Sequence, residues 1–337
     1  MNEIEPVAYA TSLKEFVNDL RPHAEELDSK GEVCQIWYRE FINRNLHLGG
    51  SVFRPFSGKD FCNHLATLSE VSGAFGFLAL QQVVANGRLG ERIRDFHEVP
   101  AIGVAYGHLR KPAGMTPKSI NGLVGGGVPW FTGSGIFEYA ILGFRDERNL
   151  EITALVKSEN RPEFQHLEAM HLIACNGINT VQVQADKLKV VQNEYISVNN
   201  AGHMKSGDAA SVYYHTPLMV GNMRASQRAI MNCERVPEEL RKRSQSQTEY
   251  LLSRISSAFI NGVDPDLGCK LRAETADYSV RLARLCALAQ GGASINDSHP
   301  AQRRYREALL FNLMAQTDEI VSDAFRQMFA VDEEVWA

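Results

Sequence analysis

Trp130 and Thr132 stand two residues apart in a stretch bared by glycine, with Gly125, Gly126 and Gly127 before them and the Gly133-Ser134-Gly135 turn after them. On an extended strand that spacing puts an indole and a hydroxyl on one face. The glycines let another chain or a ligand come close to the backbone. A flat aromatic surface beside a hydrogen-bonding hydroxyl suits the seating of a planar ring; the same stretch also reads as a β-turn with a core tryptophan. A second group lies near the C-terminus, where Gly291-Gly292 is followed by HPAQRRYRE over 299–307. Pro300 fits a first helical turn, whose free N–H groups and neighbouring arginines suit an anion. A surface-charged bundle helix is the other reading.

Other patterns carry less. Gly133-Ser134-Gly135 opens like a dinucleotide fingerprint, but Glu138 holds the third glycine position and no βαβ unit follows, which argues against a Rossmann site. His166, Glu168 and His171 have metal-binding side chains but read as surface residues of one strand-loop region, so no metal is expected. Six cysteines without any C-x-x-C pair point to reduced, mostly buried thiols.

The elements that must position these groups run in the order helices, strands, helices. Residues 1–98 read as a helical domain. Ser12 with Glu15 forms a capping-box pattern ahead of an apolar face made by Leu13, Phe16, Val17 and Leu20. A second helix covers 34–46, and after a break at 54–58 a third covers 61–80, apolar on most sides. Over 99–200, β-branched and aromatic runs alternate with Gly, Asn and Asp turns. They predict strands at 102–108, 120–125, 128–132, 139–144, 150–156, 168–173, 180–188 and 189–191. The domain is expected to be antiparallel, because no helix of crossover length separates the strands. A polar connector over 197–211 leads to a helical bundle over 212–337, with helices at 217–233, 237–260, 271–289 and 300–329. The fold class is α+β in three parts.

At 337 residues, with 44% hydrophobic and 22% charged, the chain has an ordinary globular composition and the length to bury a large core. A net charge of −5 gives no reason to expect nucleic acid or an anionic membrane as partner. The acidic N-terminus lacks an apolar run behind it, and no apolar stretch is long enough to span a bilayer, so a cytoplasmic protein is expected.

The helical, β and bundle order, with Trp130-Phe131-Thr132 in the middle and Gly-Gly…Pro…Arg-Glu near the end, resembles the acyl-CoA dehydrogenase superfamily over nearly the whole chain. The resemblance implies FAD, with Trp130 beside the ring system and Thr132 bonding near N5. Gly133 and Ser134 fall in the same cofactor-contact stretch. Gly291 and Gly292 would hold the dinucleotide part across a subunit boundary, and Arg306, in the family's R-D pair (here Arg306-Glu307), and Thr317 complete the cofactor set. It also implies an acyl thioester on CoA or an acyl carrier protein as substrate, a homodimer or homotetramer, and an electron-transfer partner.

Two departures affect the chemistry. Eight residues past Glu307, where many members carry the glutamate of a Y-E-G-T pattern, stands Ala315 in Met314-Ala315-Gln316-Thr317. The stretch 223–228, compared with the first bundle helix on which other members place their base, also lacks a carboxylate. The family's T-E-P…G-S-D loop is replaced by residues 108–112, and no R-x-x-F-G segment is evident. Desaturating an acyl thioester needs a base for the α-proton, which neither alanine nor a glutamine amide supplies. No catalytic residue is assigned. Asp318 and Glu319 lie close by, Glu319 one helical turn beyond Ala315 or else aimed by the intervening turn at the cofactor's ribose side, and His108 is the other group weighed as a relocated base. The expected function is an FAD-dependent oxidoreductase acting on an acyl thioester with an altered base. The alternatives are a flavin monooxygenase, which needs no such base and whose members share a pattern like His299-Pro-x-Gln-Arg-x-x-Arg306, and a non-catalytic binding partner.

Overall fold

The computed structural model describes residues 4–110, 116–206, 212–262 and 264–329. The chain divides into two compact units, Met1–Phe56 with Ala74–Gly207, and Ser57–Gly73 with Asp208–Ala337.

The first unit holds helices α1 (Pro6–Leu20), α2 (Ala24–Ser29), α3 (Gly31–Asn43) and nearly all of α5 (Gly73–Leu89). α1 starts at Pro6, which has no N–H to leave unpaired. Ser12 therefore lies inside the helix, and the expected capping box there does not form. Phe16 packs at 5.4 Å from the ring of Phe41 and 5.3 Å from that of Phe75. Beneath this cluster the Gln82 side chain accepts from Tyr38 Oη at 3.1 Å and from the Ile102 N–H at 2.8 Å, so a buried amide fixes where the first strand begins.

Among the described residues eight strands form one sheet: β1 (Ile102–Ala105), β2 (Lys118–Ile120), β3 (Leu123–Phe131), β4 (Tyr139–Arg145), β5 (Glu151–Lys157), β6 (Phe164–Ala169), β7 (Val181–Lys189) and β8 (Tyr195–Asn199). The order is β6-β7-β3-β2-β4-β5-β8, with β1 also on β4. The sheet is mixed rather than purely antiparallel: β1 lies parallel to β4, with Ile102 opposite Tyr139, and β2 meets β4 in parallel at Lys118 and Arg145. The β2–β3 hairpin serves as the crossover for which a helix would otherwise be needed.

Five strand expectations shift. β1 stops at Ala105, because Gly107–Arg110 coil into a 3-10 turn. Residues 120–125 and 128–132 belong mostly to the single strand β3, and 189–191 only finish β7. β6 precedes the expected 168–173. β8 occupies the start of the expected connector, whose residues 207–211 lie outside the described ones. A short helix, α6 (His203–Ser206), follows; Glu151 accepts from the N–H groups of Gly202 and Met204, each at 2.9 Å.

The second unit packs α4 (Gly58–Val71) with α7 (Thr216–Met231), α8 (Glu238–Asn261), α9 (Pro265–Gln290), α10 (Pro300–Leu313) and α11 (Asp318–Phe329). Its core gathers Cys62, Ala66, Val220, Met223, Leu251, Ile255, Leu271, Leu282 and Cys286. The expected helix 61–80 is in fact α4 and α5, broken at the extended Ser72. α4 starts with a capping box of Ser57 and Asp60. α9 starts six residues before the expected 271, where Asp264 accepts from two N–H groups at 3.1 Å. The expected helix 300–329 is also two, α10 and α11. All six thiols are free, and Cys233 alone is half-buried. No helix among the described residues is long and apolar enough to cross a membrane.

Candidate functional site

Four of the eight cofactor-contact candidates gather at one end of β3. Against β7 the register slips, so that Val128 faces Val183 but Phe131 faces Val181. The extra residue sends both Val128 and Phe131 into the core and leaves Trp130 56% exposed. The indole thus stands at the surface beside the run of glycines. Thr132 lies just past the strand, buried, with its hydroxyl 3.1 Å from that of Thr180.

The turn that follows needs glycine. Gly133 has a φ of +87°, and a Cβ there would stand 2.2 Å from the Phe137 ring. Its N–H donates to Ile178 O at 2.8 Å, and that of Ser134 to Asn179 O at 3.2 Å. Ser134 Oγ lies 2.7 Å from His166 Nδ1. His166 is thus half-buried against this turn, and not the surface residue expected from the sequence. Burial pushes its pKa below the usual histidine value. Sequence reasoning missed this contact because it joins a turn residue to a β6 residue 32 positions further on.

The other four candidates are spread over the second unit. Gly291 caps α9 with a φ of +72°, and a Cβ there would meet Arg235 Nη1 at 2.3 Å, so local backbone and packing explain this glycine. Gly292 has nothing within 4 Å and no such reason. Arg306 Nη1 donates to Asp297 O at 2.8 Å. Thr317 Oγ1 accepts from the Ile320 N–H at 3.3 Å, capping α11.

The anion site expected at Pro300 is filled from within. His299 Nδ1 accepts from the Ala301 N–H at 3.2 Å. Arg303 is buried, 2.7 Å from Glu307 Oε1 and 3.1 Å from Val71 O. Arg304 turns inward against Cys286, where burial lowers its pKa.

At the position compared with the family's base, α10 ends at Leu313 and Ala315 adopts a φ of +49°. Below this turn sits Arg272, fully buried, donating through Nη2 to Phe311 O at 3.0 Å and Met314 O at 3.2 Å. Burial brings its pKa down to about 10. Because α11 starts only at Asp318, Ala315 and Glu319 do not share a helix face. Glu319 instead lies near Cys269 of α9, whose thiol pKa is raised by burial and then by the Glu319 charge. The other base candidate, His108, is buried with Nε2 2.8 Å from Gly143 O, and burial lowers its pKa.

This architecture is the acyl-CoA dehydrogenase fold, shared by flavin-dependent dehydrogenases and monooxygenases. The chain is similar to nitrososynthase from Micromonospora carbonacea var. africana, at 15% identity over 98% of both chains, with a TM-score of 0.78. It is similar to KijD3 in complex with FMN and dTDP-3-amino-2,3,6-trideoxy-4-keto-3-methyl-D-glucose, at 15% identity over 99% of this chain and 96% of that one, with a TM-score of 0.75. Glutaryl-CoA dehydrogenase from Mycobacterium smegmatis, in complex with FADH2, is similar at 13% identity over 97% and 96% of the two chains, with a TM-score of 0.71. No protein-family model matches the sequence, and no curated protein matches it.

Proposed function

We propose that the chain is a flavin-dependent oxidoreductase that uses oxygen, a monooxygenase on the acyl-CoA dehydrogenase fold. The observation that carries this reading is the turn at Ala315. It offers no carboxylate, the helix break separates Glu319 from it, and His108 is committed to a backbone carbonyl. Thioester desaturation would lack the α-proton base it requires. Oxygenation needs none in that role: reduced flavin supplies two electrons, one oxygen atom enters the substrate and the other leaves as water. The likeness to the HsaA monooxygenase from M. tuberculosis and to dibenzothiophene monooxygenase (TdsC) from Paenibacillus sp. A11-2 supports the same choice.

The flavin, FAD or FMN, would lie with its ring along Trp130 and Thr132, with Gly133 and Ser134 at the adjoining turn. Gly291, Gly292, Arg306 and Thr317 are the proposed contacts for the rest of the cofactor, and Gly292 is the one among them whose glycine no local packing explains. We further propose a homo-oligomer in a cytoplasmic setting, with a reductase as electron source. The test is to load the protein with flavin and add butyryl-CoA or glutaryl-CoA without oxygen; no bleaching is expected. Reduced flavin, oxygen and a dTDP-amino sugar, chosen because KijD3 is seen with one, form the first oxygenation assay. Rapid anaerobic bleaching by a thioester would restore the dehydrogenase reading.

A further inference from the structure

The second unit carries a cleft that the flavin reading does not use. It is bordered by Cys62 and Asn63 of α4, Val220 and Arg224 of α7, and Ile255 and Phe259 of α8, and holds about 290 Å3 of space, part of it open to solvent. Two glycines pin α4 to these neighbours. A Cβ at Gly58 would run into Phe259 O of α8, and one at Gly221 of α7 would stand 2.5 Å from Ala66 O. The stretch of α4 between Gly58 and Ala66 is the one that borders the cleft, through Lys59, Cys62 and Asn63.

The lining joins an apolar surface to an unmatched positive charge. Cys62, Val220 and Ile255 are buried, and the half-buried Leu252 and Phe259 extend the same surface. Arg224 is half-buried beside them. Among the described residues it makes no hydrogen bond or ion pair, and no carboxylate lines the cleft. Other arginines of this unit are matched: Arg228 pairs with Glu70, Arg254 with Glu274 at 2.7 Å and Arg303 with Glu307 at 2.7 Å. Asp60, the carboxylate closest in sequence to the α4 lining, is spent on the helix cap, accepting from Ser57 N at 3.2 Å and Ser57 Oγ at 2.8 Å. The Cys62 thiol brings no negative charge, because burial pushes its pKa up to about 11. Lys59, exposed at the cleft, adds a second cation.

We propose that this cleft binds an apolar monocarboxylate, with its carboxylate on the Arg224 guanidinium and its hydrocarbon against Leu252, Ile255 and Phe259. A planar carboxylate fits the guanidinium fork with two parallel hydrogen bonds. It also brings a single charge to desolvate, whereas a phosphate brings nearly two to a lining with one half-buried cation. The site stands apart from the Trp130 strand end and does not depend on flavin binding.

Methyl NMR of the full chain tests it, with octanoate as the probe. Octanoate should shift the Val220, Leu252 and Ile255 methyls saturably and leave methyls of the first unit unmoved. Octanol, which has the tail without the charge, should bind at least about tenfold more weakly, and octyl phosphate should bind no tighter than octanoate. Arg224→Gln should weaken octanoate binding at least about tenfold, the weight of a hydrogen bond to a charged group. Lys59→Gln, at an exposed position, should weaken it by no more than about fivefold. Arg224→Lys keeps the charge and loses the fork, and should also bind octanoate more weakly, which preserves the test if the glutamine variant does not fold. Octanoate that shifts none of these methyls overturns the site. Octanol binding as well as octanoate, or unchanged affinity in the folded Arg224 variants, overturns the role of the guanidinium, and tighter binding of octyl phosphate overturns the choice of a carboxylate.

Discussion

Truncating Glu307 to alanine should destabilise the second unit more than most single changes. Its carboxylate is 1% exposed and its Oε1 meets Arg303 Nη1 at 2.7 Å and the Gly73 N–H at 3.0 Å. Arg303 is itself 6% exposed at the side chain and would keep only its bond to Val71 O. Breaking one side of a buried ion pair costs about 3–5 kcal/mol, and stranding the Gly73 N–H adds about 1 kcal/mol or more. Glu307→Ala should therefore lose about 4–6 kcal/mol, or about 10–20 °C in Tm for a unit of this size. Glu307→Gln keeps an acceptor and the shape, and should lose about 1–3 kcal/mol. Arg303→Met combined with Glu307→Leu removes both charges and should be less destabilised than Glu307→Ala alone. Urea denaturation followed by far-UV circular dichroism gives all four values. A Glu307→Ala variant within about 1 kcal/mol of wild type, or a double variant showing strictly additive losses, would refute the reasoning.

Three further outcomes are expected. His47 is buried with Nε2 3.0 Å from Val99 O, and burial drops its pKa to about 4, so the unfolded chain takes up its proton at higher pH than the folded one. Stability should fall by about 3 kcal/mol as pH drops from about 6.5 to about 4, and His47→Asn should flatten that slope in pH-dependent urea melts. Arg272→Met leaves Phe311 O and Met314 O without their donor, so the amides of residues 315–317 should exchange hydrogen at least about tenfold faster while distant helices do not change. Thr132→Val should alter the visible spectrum of bound flavin with far-UV circular dichroism intact; an unchanged spectrum removes Thr132 from the ring contacts.

The order of helices, strands and helices was legible because apolar periodicity is local, and so were the breaks at 54–58 and at Gly291-Gly292. What was not legible depended on distant partners. Nothing near Ser72 in sequence signals that the Gly73 N–H is caught by Glu307, 234 residues away. The break at Ala315 is likewise held by Arg272, 39 residues from Phe311 and 42 from Met314. Ser12-x-x-Glu15 has the capping pattern, yet the helix extends back to Pro6, because Tyr9 buries its ring and its hydroxyl reaches Leu46 O at 2.7 Å. The Trp130 strand end was readable from residue types, whereas the bulge that exposes the indole and the histidine behind Ser134 both come from strand pairing.

The most direct measurement is a titration of the purified protein with FMN and FAD, each oxidised and reduced, read by flavin circular dichroism and by quenching of tryptophan fluorescence. Saturable binding of at least one flavin is expected, with induced visible dichroism, and Trp130→Phe should remove most of the quenching while the fold is kept. Absence of binding for every flavin form, or quenching that survives intact in Trp130→Phe, would contradict a flavin seated on the Trp130 strand end.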